Sequence, residues 1–147
     1  METDDLAIFD VYPIHDEDGG SIGVSRRDGL AILDLDGEFD VFAASQLRER
    51  CRAELDAGRA CVVDVRDTAF VDSAVLAALL DARRRSRQLG RRLVLVLPEG
   101  RHPVRRALDA AQLEFELCAD LAEAVRTASP PPHPRDDGTA LRSAVPD

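Results

Sequence analysis

The sequence has no lysine and no tryptophan, only one methionine and one tyrosine, and three cysteines among its 147 residues. All 19 basic residues are arginine, so chemistry that requires a lysine is excluded. That removes the phosphate-binding loop with its Gly-Lys-Ser/Thr, Schiff-base catalysis and the lysine-dependent phosphoacceptor site of response-regulator receivers. Cys51, Cys61 and Cys118 are odd in number, widely spaced and form no Cys-x-x-Cys. They suggest neither a disulfide framework nor a zinc site, and they read as small core or half-buried residues. His15, His102 and His133 fall in three separate regions with no second ligand at metal spacing, so neither a metal nor any other cofactor is expected. No apolar run approaches the roughly 18 residues of a membrane span. The opening Met1-Glu2-Thr3-Asp4-Asp5 is acidic where a secretory signal would be basic, so the expected location is cytoplasmic.

What is present is the balance of one globular domain, with 45% hydrophobic, 32% charged and 4% aromatic residues. The formal net charge of -9 is unevenly spread. Residues 1–20 hold seven acids and no arginine, residues 21–128 hold 18 acids against 17 arginines, and residues 129–147 hold three acids and two arginines. An acidic chain repels phosphate backbones, so direct nucleic-acid and anionic-membrane binding are disfavoured, and no small-molecule ligand is expected. The one basic cluster, Arg83, Arg84, Arg85, Arg87, Arg91 and Arg92, straddles a helix end. It reads either as a solvated face that complements the helix dipole or as a docking surface. The acidic extension could fold back over it at low salt.

Three regions follow: an acidic N-terminal extension over 1–20, a folded domain over 21–128, and a Pro-rich tail over 129–147 that should be disordered or extended. Within the extension, Ile8-Phe9-Asp10-Val11-Tyr12 is an apolar patch that reads as a strand or a docking peptide, and Asp16 to Gly20 reads as a linker. Ser21–Arg26 and Leu30–Leu35 form β-type runs around Arg27-Asp28-Gly29, a hairpin signal. Gly37-Glu38-Phe39-Asp40 turns into a helix over 41–57, where Leu47, Cys51 and Leu55 recur at spacing four. Cys61–Val65 is a strand, 73–89 a helix, and Leu93–Leu97, apolar at every position, a strand covered on both faces. A helix from about Pro103 to Ala111, a strand at 114–117 and a helix after Asp120 complete the order ββαβαβαβα. The class is α/β, a mixed sheet with helices packed on it.

One segment goes beyond folding. After Cys61–Val65, a loop of five to six residues containing Thr68 leads to Asp72-Ser73 at the start of a helix. Free N–H groups and the positive dipole end stabilise added negative charge there, and a phosphate adds about -1.5 to -2 charges. Asp and Ser are also favoured N-caps, so the pair reads either as a cap or as a phosphosite. Phe70 reads as a core anchor or an interface residue, and Asp64, with no partnering carboxylate or lysine, as structural.

The run Val62-Val63-Asp64-Val65, Phe70-Val71-Asp72-Ser73, Leu76, Leu79 and Leu80 resembles the STAS domain of bacterial anti-sigma factor antagonists and sulphate transporters. Leu33 to Asp40 is similar to that family's strand followed by Gly-Glu-Leu-Asp, and Leu93–Leu97 with Val104–Leu108 and Glu123-Ala124-Val125 fits its closing pattern. The resemblance covers about residues 21–128. It implies a STAS-like α/β fold and a non-enzymatic regulator of transcription and stress response. The implied partner is an anti-sigma factor with serine kinase activity, a histidine-kinase-like ATPase. That partner binds the unphosphorylated form and is released when Ser73 is phosphorylated. The implied contact face comprises Asp40, Phe70, Asp72, Ser73, Ala74 and Val75. Where the family reads Asp-Ser-Ser-Gly-Leu-Gly, this chain reads Asp72-Ser73-Ala74-Val75-Leu76-Ala77, which removes both glycines. An alternative is therefore a divergent STAS subunit that docks constitutively in a larger signalling or transporter complex.

Overall fold

The computed structural model describes residues 7–13, 20–39 and 41–130, apart from the side chains of residues 7–13, Phe70 and Val71. The expectations for Asp40, the Phe70 side chain, the linker acids Asp16, Glu17 and Asp18, and the tail beyond Pro130 lie outside the described residues. Among the described residues ten elements follow one another: β1 (Ala7–Pro13), β2 (Ser21–Arg27), β3 (Leu30–Phe39), α1 (Val41–Asp56), β4 (Ala60–Val71), α2 (Ser73–Leu89), β5 (Leu93–Val96), α3 (Pro103–Ala111), β6 (Glu116–Cys118) and α4 (Leu121–Ala128). From β2 to α4 the order is ββαβαβαβα, as the alternation of patterns predicts. The apolar patch at Ile8–Tyr12, left open between strand and docking peptide, lies within strand β1.

The six strands form one mixed sheet in the order β1-β2-β3-β4-β5-β6. The β1–β2 and β2–β3 pairs are antiparallel, and the three pairs from β3 to β6 are parallel. Gly29 closes the β2–β3 hairpin with φ at +70°, a left-handed conformation that an L side chain would strain. Gly20 is needed for a different reason. A Cβ there would lie 2.7 Å from both the Asp36 carbonyl oxygen and the Phe39 ring, so only glycine lets the entry to β2 pass the end of β3.

Side-chain alternation along the strands builds two apolar layers. Leu33, Leu35, Cys61, Val63, Val65, Leu93, Leu95 and Leu97 face α1, α2 and α3 and meet Leu47, Cys51, Leu55, Leu79, Val104 and Leu108. Leu30, Ile32, Val62, Val94 and Val96 face the other way, toward Ala124 and Ala128 of α4. The unbroken apolar run at β5 therefore has one reason: both of its faces are covered. All three cysteines are free and buried. Burial pushes the Cys51 and Cys61 thiols well up, so they act as small apolar groups.

The structure corrects the expected loop after Val65 and the expected turn at Gly37. β4 continues to Val71 and β3 to Phe39, each supplying the other's ladder partners: Asp36 opposite Asp67, Gly37 opposite Thr68, Glu38 opposite Phe70 and Phe39 opposite Val71. The register shifts twice, because β4 spends one extra residue between Asp64 and Asp67 and another between Thr68 and Phe70. Such bulges bend a strand and increase its twist. Thr68, expected in a loop, is buried within β4, and its hydroxyl has no hydrogen-bond partner among the described residues.

Two ionic features sit on this frame. Glu54, on the buried side of α1, accepts from Arg26 Nε and Nη2 at 2.9 and 2.7 Å and from Arg59 Nη1 at 2.9 Å. It thereby ties β2 and the α1–β4 connection to α1. Burial opposes its ionisation, but the hydrogen bonds and charges of Arg26 and Arg59 outweigh that and hold its pKa below the usual range. At the sheet's carboxyl end Asp64 is buried and held by Arg66 at 2.9 and 2.7 Å. The partly exposed Asp34, its register partner, is pushed up to about 6, first by burial and then by the charges of Asp64, Asp67 and Asp36.

These features give opposite pH signatures. A lowered carboxylate pKa contributes stability above its unfolded value and loses it as pH falls through the folded one. Glu54→Gln should therefore cost about 2 kcal/mol at neutral pH, below the full value of a broken buried pair because Arg26 and Arg59 can rehydrate. Urea unfolding checks this, and the difference from wild type should shrink in acid. A raised carboxyl pKa means that stability falls as pH rises through about 6. Asp34→Asn should raise the melting temperature at pH 8, with the gain fading toward pH 4 by scanning calorimetry.

Candidate functional site

The extension of β3 and β4 beyond the layered core brings two helix starts together. β3 ends at Phe39, two residues before α1, and β4 ends at Val71, two residues before α2. The Asp72 N–H donates to the Phe39 carbonyl at 3.3 Å, closing the ladder at the point where both chains turn. α1 and α2 then run side by side on the same face of the sheet. Their first turns stand together at the carboxyl end of the parallel strands, where open α/β sheets place their sites.

At this end Asp72 and Ser73 divide the two roles that the sequence left open. Asp72 is the N-cap of α2, with extended backbone at φ -88° and ψ 155°. Its Oδ1 accepts the Ala74 N–H at 2.9 Å, and its carbonyl accepts the Val75 N–H at 2.8 Å. Ser73 is the first helical residue and is exposed. Among the described residues its hydroxyl has no hydrogen-bond partner, so the cap does not consume it. An exposed hydroxyl at a helix start can carry a phosphate whose charge meets the positive dipole end.

The other expected contact residues separate. Asp72 and Ala74 are half-buried at the rim. Val75 is corrected: at 2% exposure its side chain belongs to the core and cannot face a partner. The missing glycine at that position is therefore filled from the inside, and it does not crowd the surface. Ala77, at the second missing glycine, is exposed and does place a methyl group there. Asp40 and the Phe70 side chain lie outside the described residues.

Two features of the site were not read from the sequence. Val41 and Phe42, in the first turn of α1, are 64% and 56% exposed, the two most exposed large hydrophobic side chains among the described residues. A helix that begins on two large apolar residues ahead of its buried Ala43 and Ala44 was the available signal. The second is His102, the buried N-cap of α3. Its Nδ1 accepts the Val104 N–H at 3.1 Å, which makes Nε2 the protonated nitrogen, donating to the Arg66 carbonyl at 2.9 Å. It pins α3 to the bulged part of β4, and a polar residue directly before Pro103 was its sequence signal.

The arginines of 83–92 are largely engaged within the domain. Arg83 donates to the Glu114 carbonyl and stacks over Phe115, Arg84 pairs with Asp81, Arg85 with Asp56, and Arg92 with Glu116. Asp64 and Asp72 are likewise committed, to Arg66 and to the α2 cap. No helix among the described residues is long and apolar enough to cross a membrane.

With this geometry in view, comparison with known proteins agrees with the resemblance in the sequence. The family model described as STAS domain matches residues 21–128. No curated protein matches the chain by sequence. Among solved structures, an anti-sigma factor antagonist from Mycobacterium paratuberculosis aligns over 77% of this chain and 97% of its own, with TM-score 0.65 and 23% identity. The anti-sigma factor antagonist SpoIIAA in its unphosphorylated form aligns over 72% and 94%, with TM-score 0.59 and 16% identity. The Bacillus cell fate determinant SpoIIAA in the phosphorylated form aligns over 74% and 99%, with TM-score 0.59 and 17% identity. At these identities the structural likeness speaks for the fold, while the family match spans most of the chain: the protein belongs to the STAS domain family.

Proposed function

We propose that this STAS domain is a phosphorylation-controlled protein-binding module of the anti-sigma factor antagonist type, with Ser73 as its phosphoacceptor. The observation that carries this reading is the division of labour at the α2 start. Asp72 holds the cap and Ser73 presents a free, exposed hydroxyl. Two of the structural neighbours are named as anti-sigma factor antagonists, and one of these, SpoIIAA, is known in both phosphorylated and unphosphorylated forms. The partner in this reading is an anti-sigma factor with serine kinase activity, an ATPase of the histidine-kinase-like class. It docks over Ser73, Asp72 and Ala74, with Val41 and Phe42 as apolar anchors. The module itself performs no chemistry.

Release follows from electrostatics. The strand ends beside Ser73 carry Asp36, Glu38, Asp67 and Asp72, so about two further negative charges would be added to an acidic edge. A docked partner would have to desolvate that phosphate, at a cost of several kcal/mol. A second reading, constitutive docking without a switch, is favoured by Ala77 in place of the family's second glycine.

One experiment separates the two. Wild type and Ser73→Asp, tagged, are used as baits in lysate of the native host, with mass spectrometry of the retained proteins. The switch predicts an ATPase of this class that wild type holds and Ser73→Asp loses. It also predicts phosphate on Ser73 when that ATPase, wild type and ATP are combined. Equal retention by both baits would leave only the constitutive reading.

A further inference from the structure

Between the bulged end of β4 and α3 lies a groove that the Ser73 site does not use. It is an open cavity of about 540 Å³ between Ala69, at the second bulge of β4, and the outward face of α3, where Pro103, Ala107 and Ala110 line it and Arg101 and Arg106 flank them. Val104 and Leu108 of α3 are buried in the core, while Pro103, Ala107 and Ala110 line the groove, and Arg106 and Asp109 are also exposed on the helix. Arg101 and Arg106 are exposed, and neither holds a carboxylate among the described residues, whereas Arg26, Arg59, Arg66, Arg85 and Arg92 each do. His102 also borders the groove, but both of its ring nitrogens are engaged, so it fixes the wall and leaves binding to the arginines.

The geometry points to this groove as a docking site for an acidic, small-residue segment of a protein partner. Three observations select that occupant. The charge available is cationic, from two uncommitted guanidinium groups and the start of α3, within a chain whose net charge is -9. The floor is methyl and methylene groups of alanine and proline, which suits small side chains and offers no hydrogen-bonding pocket for a base or a sugar. The volume is far larger than a single phosphate needs, at roughly 30 Å³ per water-sized unit, and the groove opens along the surface. The acidic strand ends of β3 and β4 and this basic groove stand on the same end of the domain. A partner with the complementary pair of charges would therefore dock in one orientation. This inference extends the partner face of the proposed function, but its test does not depend on Ser73.

The test is an amide shift titration of the full ¹⁵N-labelled chain. One arm uses the peptide Ac-Glu-Ala-Glu-Ala-Glu-NH₂, and the other uses inorganic phosphate. Peptide-induced shifts should concentrate at Ala69 and over 101–110 and should weaken with added salt. Arg101→Glu with Arg106→Glu should weaken the apparent affinity about tenfold. The control pair Arg48→Glu and Arg126→Glu makes the same change in net charge on other surfaces and should leave affinity within about twofold. Shifts spread over every arginine-bearing surface, or equal weakening by the control pair, would overturn the inference. Saturation of the same amides by phosphate at lower concentration than the peptide would also overturn it, since the groove would then be a small-anion site. Loss of the Ser73→Asp effect on ATPase binding, by contrast, would leave this result untouched.

Discussion

The parallel β3–β4 ladder running past the packed core is the constraint on which the rest of this molecule depends. Without the pairs from Asp36–Asp67 to Phe39–Val71, the chain would leave the sheet near Val65 and the helix starts would hang on two loops. With them, the backbone bond from Asp72 to Phe39 fixes where α1 and α2 begin, and the α2 cap follows in the next residue. Two bulges take up the unequal lengths of the strands. The second places Ala69 on the surface beside α3, and His102 locks α3 to the carbonyl of Arg66 near the first. The proposed docking face is therefore built on sheet backbone, which holds geometry more tightly than a loop does.

Charge follows the same frame. The carboxyl ends of β3 and β4 gather Asp34, Asp36, Asp64 and Asp67 with Arg66 as the sole cation contacting Asp64 among the described residues, and Asp34 carries the cost as a raised pKa. Glu54, deeper along α1, is a carboxylate stabilised by two arginines and serves the fold. The contrast separates structural charge from the acidic edge that a phosphate on Ser73 would reinforce.

Much of the fold was legible in the sequence because the determinants are periodic. The spacing of Leu47, Cys51 and Leu55 gave the buried stripe of α1, the unbroken run from Leu93 gave a strand covered on both sides, and Asp28-Gly29 gave the hairpin. The extension of β4 was not legible, because Asp67 and Ala69 are poor strand signals and the pairing of this stretch is decided by β3 in three dimensions. The same limit applied at the site. Asp-Ser at a helix start cannot say which residue caps; only the position of the Asp72 carboxylate, 2.9 Å from the Ala74 amide, decides it. Val75 showed a missing glycine but not that its side chain turns inward, and His102 looked idle until its two hydrogen bonds were placed.

The central claim is that Asp72 holds the start of α2 while the Ser73 hydroxyl is spare. Chemical denaturation of Asp72→Ala and Ser73→Ala beside wild type tests it most directly. Loss of the cap should cost Asp72→Ala about 1 kcal/mol, while Ser73→Ala should stay within about 0.5 kcal/mol of wild type. The reverse order, with Ser73→Ala the more costly, would show that the serine is the cap and that its hydroxyl is not free to be modified.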